Sequence, residues 1–301
     1  MIFFKPRRTI CIYFIIILLF APSFLEAGDL SFRVEQSKIR LIIPPGGSQA
    51  GMFKVYSQSD DKIKLKAYFE DWAYNEEKDG SKDFFPAKST SLSCADWVTF
   101  NPAEFVLPPH GAQTVNYVVH MPPDAQGGHY AVMFLETSLL RDVGYPMDTQ
   151  TKELTVGTSL NIRLGVLFYL EAEGTVRRQA RLSNLSVAKA SDGKNLLFSC
   201  DFKNVGNADI TTKPTFDIID QGGMVYARGE FNEIYTFPQD EAKLTATWRG
   251  PLPKGKYDLI LTLDLGQVLK EAGLGRGPVM TKEAEIEIGA NNEAVKVGEL
   301  R

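Results

Sequence analysis

The side chains able to move protons, hold metals or attack carbonyls are few in this chain. His110, His120 and His129 are its only histidines. The last two fall in strand-like segments where they could become cross-strand neighbours, but no carboxylate or cysteine stands beside them at ligand spacing. Glu70, Asp71, Glu76 and Glu77 gather around one polar stretch, the pattern of a solvated charge run or, less specifically, of a calcium site. Gly273 to Gly277 (GLGRG) is glycine-rich. It lacks the strand-to-helix setting and the Lys-Ser/Thr ending that let a phosphate loop cradle its ligand. No Gly-x-Ser-x-Gly elbow and no His-Glu-x-x-His occurs. Asn184 to Ser186 matches the glycosylation pattern, which has meaning only in a eukaryotic secretory setting. Cys94 and Cys200 lie in different halves, so a disulfide framework is not expected. The residues thus point to a protein that is not an enzyme, with neither metal nor cofactor.

The segments around these residues read as β-strands. Residues 97–135 give strand, proline-bounded turn, strand, turn and strand. Val115, Tyr117, Val119 and Met121 alternate on one face, the two-residue period of a half-buried strand. Ile63, Leu65, Ala67 and Phe69 alternate with a lysine row, Lys62, Lys64 and Lys66, which reads as a solvated face. Residues 72–93 read as a polar, irregular loop in which Phe84 and Phe85 either pack underneath or form a contact patch. Leu160, Ile162, Leu164, Val166, Phe168 and Leu170 share one face of the longest alternating run. In the second half Leu196, Phe198, Cys200 and Phe202 alternate, Asp220 to Gly223 signals a hairpin, and Tyr257, Leu259, Leu261 and Leu263 form another buried face. Cys200 reads as a small buried hydrophobe and Cys94 as partly exposed. Both halves carry a proline-strand-proline-Gly-x-Tyr echo, Pro109 to Tyr130 and Pro238 to Tyr257. Its tyrosine just after glycine fits the tyrosine corner of immunoglobulin-like sandwiches. The expected fold is all-β: two tandem immunoglobulin-like β-sandwich domains after a signal peptide. A short helix over 266–272 is the single candidate exception.

The chain has 301 residues and a net charge of −4, which suits two domains and speaks against an electrostatic nucleic-acid partner. Its start carries Lys5, Arg7 and Arg8, then the apolar run 10–20, then small residues ending at Ala27-Gly28. That is the layout of a secretory signal, shorter than the roughly 20 apolar residues of a spanning helix. Cleavage there removes a net +2 and leaves −6. The expected organisation is a signal peptide over 1–27, one sandwich over 28–172, a second over 179–289 and a disordered tail over 290–301. The expected place is periplasmic or secreted, with no membrane span after cleavage.

Residues 39–44 (IRLIIP), the segment 105–109 (FVLPP) and 167–169 (LFY), at the end of the long alternating strand, appear in an order that resembles PapD-like periplasmic pilus chaperones over about 30–172. The resemblance implies that the long strand lends Leu160, Ile162 and Leu164 to a pilin-like exported subunit by strand addition. The competing reading is that these side chains fill the domain's own core. It also implies that Arg40 anchors a subunit's terminal carboxylate. The lysine that assists it in that family is replaced by Val166 or Tyr169, with Arg163 the nearest cation, so a buried carboxylate there is under-compensated. Asp71-Trp72, the Asp79-Gly80 loop, residues 93–102 and Gly127 to Tyr130 are similar to the first domain of WxL-associated surface proteins. Residues 202–207 and 252–257 are similar to their second domain. That resemblance implies binding of peptidoglycan or another cell-wall polymer. The expected function is a chaperone-like or adaptor role in assembling a surface or fimbrial structure by β-strand pairing. The alternative is a cell-envelope polymer-binding protein, with Trp72, Phe84 and Phe85 grouped on one surface.

Overall fold

The computed structural model describes residues 31–142 and 157–301, without the side chains of 138–142 and 157–160. The signal segment and most of the connection expected over 141–151 lie outside the described residues, as does the Leu160 side chain. The first half contains β1 (Phe32–Val34), β2 (Lys38–Ile43), β3 (Ser48–Ser57), β4 (Ile63–Tyr74), β5 (Lys82–Pro86), β6 (Val98–Asn101), β7 (Glu104–Leu107), β8 (Ala112–His120), β9 (Gly128–Asp142) and β10 (Gly157–Ala172). One sheet has the order β1-β3-β8-β6. The facing sheet runs β2-β10-β9-β4-β5, with β7 also on β4. Strand alternation decides what lies between them. Phe53, Val55, Val115 and Val119 from one sheet meet Ile63, Leu65, Met133, Leu135, Val166 and Phe168 from the other. Each large aliphatic or aromatic side chain so buried contributes roughly 1.5–3 kcal/mol. The lysines that alternate with Ile63 and Leu65 point out to solvent.

The second half is another sandwich, built from β11 (Ala180–Lys189), β12 (Leu196–Asn204), β13 (Ile210–Thr212), β14 (Thr215–Asp220), β15 (Val225–Glu230), β16 (Ile234–Thr236), β17 (Glu241–Trp248), β18 (Gly255–Asp264), β19 (Val279–Ile288) and β20 (Ala294–Val297), with one short helix α1 (Gln267–Glu271). Its sheets are β11-β12-β17, β13-β16 and β15-β14-β18-β19-β20. Phe198, Cys200, Phe202, Phe216, Leu244, Leu259 and Leu261 fill the space between them. The fold is therefore two immunoglobulin-like β-sandwiches in tandem, and among the described residues no sheet takes strands from both sides of 173–179. None of the described helices is long and apolar enough to cross a membrane.

The structure departs from the sequence reading in three places. Residues 72–93 are not one loop. β4 runs on to Tyr74 and β5 pairs with it, Trp72 opposite Phe84 and Asp71 opposite Phe85. Cys94 is buried, not partly exposed, and like Cys200 it is a free thiol. Burial raises the pKa of both, that of Cys200 to about 12. Residues 290–301 are not a loose tail. β20 pairs with β19 from Ile286 to Ile288, and the pairing continues through Gly298 to Glu285 and Arg301 to Glu283. Val297 and Leu300 pack on the second core, an apolar signal masked in the sequence by the interleaved charges Lys296, Glu299 and Arg301.

Candidate partner-binding site

β10 is sheathed unequally on its two edges. β9 pairs with it antiparallel from Gly157 to Glu171. On the other edge β2 pairs in parallel only from Leu167 to Ala172, the last contact being Leu167 N–H to Ser37 O at 2.9 Å. Among the described residues no strand covers that edge over Ile162 to Val166. Strand alternation sends Ile162 and Leu164 inward, where they are half-buried against the first core, while Val166 and Phe168 are fully buried. The apolar row thus changes from core to rim at the point where β2 begins. Among the described residues this edge therefore carries no neighbouring strand and is flanked by two half-covered aliphatic side chains. Its far end abuts Ser37.

Arg163, one residue out of phase, faces the opposite side. It donates to both carboxylate oxygens of Glu70 at 3.1 Å and lies over the Phe134 ring, 4.1 Å from its centroid. Tyr68 bonds Glu136 beside it. Gly165 is required here: a Cβ would stand 2.8 Å from Val132 Cγ2 and 3.2 Å from Phe134 Cε1.

Arg40, on β2, sits between the sandwiches. Its Nη1 and Nη2 donate to Asp209 Oδ1 and Oδ2 at 3.0 and 2.6 Å, and Nη1 also donates to Glu171. Arg178 donates to both oxygens of Glu171 at 2.7 and 3.2 Å and lies 3.6 Å from Asp209. Two cations and two anions, all nearly excluded from water, balance each other. That is the condition under which buried charges are tolerated, and the forked Arg–carboxylate geometry is the strong form of it. The Asp209 amide donates to Tyr130 Oη at 2.7 Å. Gly127 and Gly128 allow this approach, since a Cβ on Gly127 would stand 2.2 Å from Asn207 O.

Beside the charges lies an aromatic cluster shared by both sandwiches. Phe237 stacks on Tyr130 at 4.0 Å and 16° and touches Trp72 and Tyr74 at 4.8 Å. Tyr74 and Tyr169 hydroxyls lie 3.3 Å apart. Burial raises the pKa of Tyr74, Tyr130 and Tyr169, with the Asp209 charge adding to it, so all three stay protonated. Lys82 spans the rings of Trp72 and Tyr74, and burial followed by the nearby Lys38 charge lowers its pKa.

The structure does not unite the histidines: His110 bonds Asp60, His120 bonds Ser48 and His129 packs tilted against Trp97. Among the described residues no group of three or more His, Cys, Asp or Glu could hold a metal. The acidic run is split by alternation. Asp71 points inward to accept from Thr90 and Ser93, Glu70 pairs with Arg163, and Glu76 and Glu77 are exposed. Trp72 is 2% exposed. Asp209, Glu171 and Phe237 escaped the sequence reading. Each is an ordinary polar or apolar position until its partner from the other sandwich is known, though Tyr130 was flagged by its glycine.

No family model matches the chain, and no curated protein matches it. Among solved structures it is similar to the class 5 fimbriae chaperone CfaA, with 14% identity over 84% of this chain and 98% of that one at a TM-score of 0.46. It is similar to the Escherichia coli chaperone DraB at 13% identity over 84% and 97%, TM-score 0.38. It is also similar to the Pseudomonas aeruginosa chaperone CupB2 at 9% identity over 83% and 98%, TM-score 0.34.

Proposed function

We propose that this protein is a non-enzymatic, exported chaperone-like or adaptor module that holds partner β-subunits by strand addition along β10, in the assembly of a surface or fimbrial structure. The observation that carries the reading is the bare edge over Ile162 to Val166, with Ile162 and Leu164 half-buried beside it. A partner strand there completes the sheet, gains main-chain hydrogen bonds and covers the two side chains. In the sequence Leu160 stands two positions before Ile162, and Arg163 borders the row on the outer face. The wall-polymer alternative needs Trp72, Phe84 and Phe85 on one surface. Trp72 is interior, and Phe84 and Phe85 are neighbours on β5, so they face opposite sides.

The test is purification of the full chain from its native periplasm, with partners identified by mass spectrometry. The expected result is a stoichiometric small β-protein retained by wild type and by Lys64→Asp on the solvated face, and lost in Ile162→Asp. Equal recovery with Ile162→Asp, or retention of the protein on isolated cell-wall sacculi in place of a subunit, overturns the reading.

A further inference from the structure

Arg40 offers its guanidinium in the geometry that takes a planar carboxylate through two parallel N–H···O bonds, and the carboxylate in that fork is the chain's own. Asp209 fills it at 3.0 and 2.6 Å, with the Arg40 side chain 8% and Asp209 1% exposed. Glu171 and Arg178 complete the balance, and the Asp209 main chain is pinned by Tyr130. A cavity of about 390 Å³ opens beside Arg40, lined by Lys38, Tyr117 and Tyr169 from one sandwich and Val268 and Glu271 from the other. A carboxylate arriving through it meets a filled fork. To enter, it must expel Asp209, which then lies buried next to Glu171 with Arg178 as their only shared cation, an uncompensated arrangement.

We propose that Arg40 and Asp209 are a lock between the two sandwiches, and that a partner on β10 is held by main chain and apolar side chains with no terminal carboxylate at Arg40. The partner so selected is a strand whose register does not depend on where its chain ends, internal as readily as terminal. The statement about the partner rests on reading β10 as the docking edge; the lock does not.

Tryptic cleavage of the full chain at Arg177, an exposed residue in the connection between the sandwiches, measures the lock. Arg40→Met and Asp209→Leu each orphan a buried charge, and each is expected to speed that cut about tenfold or more. The double variant leaves Glu171 and Arg178 as a balanced pair and is expected to fall back to within about threefold of wild type. Single variants within twofold of wild type overturn the lock, as does a double variant as fast as the product of the singles. Should a single variant be cut throughout both sandwiches, Arg40→Gln and Asp209→Asn replace the pair, each again removing one charge, with the same ranking expected at smaller amplitude. The partner statement is tested with an acetylated peptide of about ten residues alternating Val and Thr, as free acid and as C-terminal amide. Equal affinity within about twofold is expected on wild type, and a preference of about tenfold for the free acid overturns it. If neither form binds, the docking edge fails and with it the partner statement, while the cleavage ranking still decides the lock.

Discussion

His129 lies half-buried against Trp97, ring centroids 4.2 Å apart, its Nε2 3.2 Å from Gln126 O. Burial lowers its pKa below the usual 6.5. The unfolded chain therefore binds the proton at a higher pH than the folded one does, and the stability this residue contributes is complete above about pH 6.5 and lost as pH falls below it. Thermal midpoints measured from pH 7.5 to 5.5 should drop more steeply for wild type than for His129→Gln; parallel slopes would show that the ring titrates as it does in the unfolded chain. Asp71 illustrates the same dependence on surroundings. Its neighbours in sequence are acidic, yet its carboxylate is buried and accepts from Thr90 and Ser93, so it tethers the segment after β5 to β4 and takes no part in a cation site.

Elements carry the next layer. β10 serves two purposes along one row of alternating side chains: Val166, Phe168 and Leu170 close the first core, while Ile162 and Leu164 reach its rim. The division falls where β2 starts, so the length of the neighbouring strand decides which residues are core and which are available. β20 shows the converse, a short strand that completes an edge. Removal of residues 294–301 takes away Val297 and Leu300, uncovers the part of the second core on which they pack, and strips β19 of its partner from Glu283 to Ile288. That deletion is expected to lower the stability of the second sandwich by about 2–4 kcal/mol, read as a shift of its urea midpoint. An unchanged midpoint would mean that the segment only lies on the surface.

Across the whole molecule the two sandwiches share a charge balance and an aromatic stack. The stack includes Phe237 on Tyr130 at 4.0 Å, and the second sandwich is further bonded through Tyr235 N–H to Lys78 O at 2.9 Å and Gly128 N–H to Asn207 O at 2.8 Å. Wild type is accordingly expected to unfold in one calorimetric transition. Phe237→Ala, which deletes a buried ring worth about 3–5 kcal/mol, should split it into two. Two transitions already present in wild type would refute this coupling. Exposed pairs such as Lys243–Asp201, 58% and 40% exposed, contribute little beside it, since surface ion pairs are worth about 0–1 kcal/mol.

Local pattern was enough for the class of fold. Runs such as Ile63-Leu65-Ala67 and Leu196-Phe198-Cys200-Phe202 carry their burial in a two-residue period, and Asp220 to Gly223 carries its hairpin in turn chemistry, because both depend on near neighbours along the chain. The same pattern placed Ile162 and Leu164 on the inward face of β10. The resemblance, not the pattern, implied an incoming carboxylate at Arg40, which is a statement about what stands opposite Arg40. Asp209, separated from it by 169 positions, is brought there only when the second sandwich docks on Tyr130 and Gly128. Nothing in the period of either strand encodes that approach. Contacts between residues far apart in the chain arise from packing of whole faces, so the occupant of Arg40, the bare length of β10 and the strand formed by residues 294–297 are properties of the folded molecule.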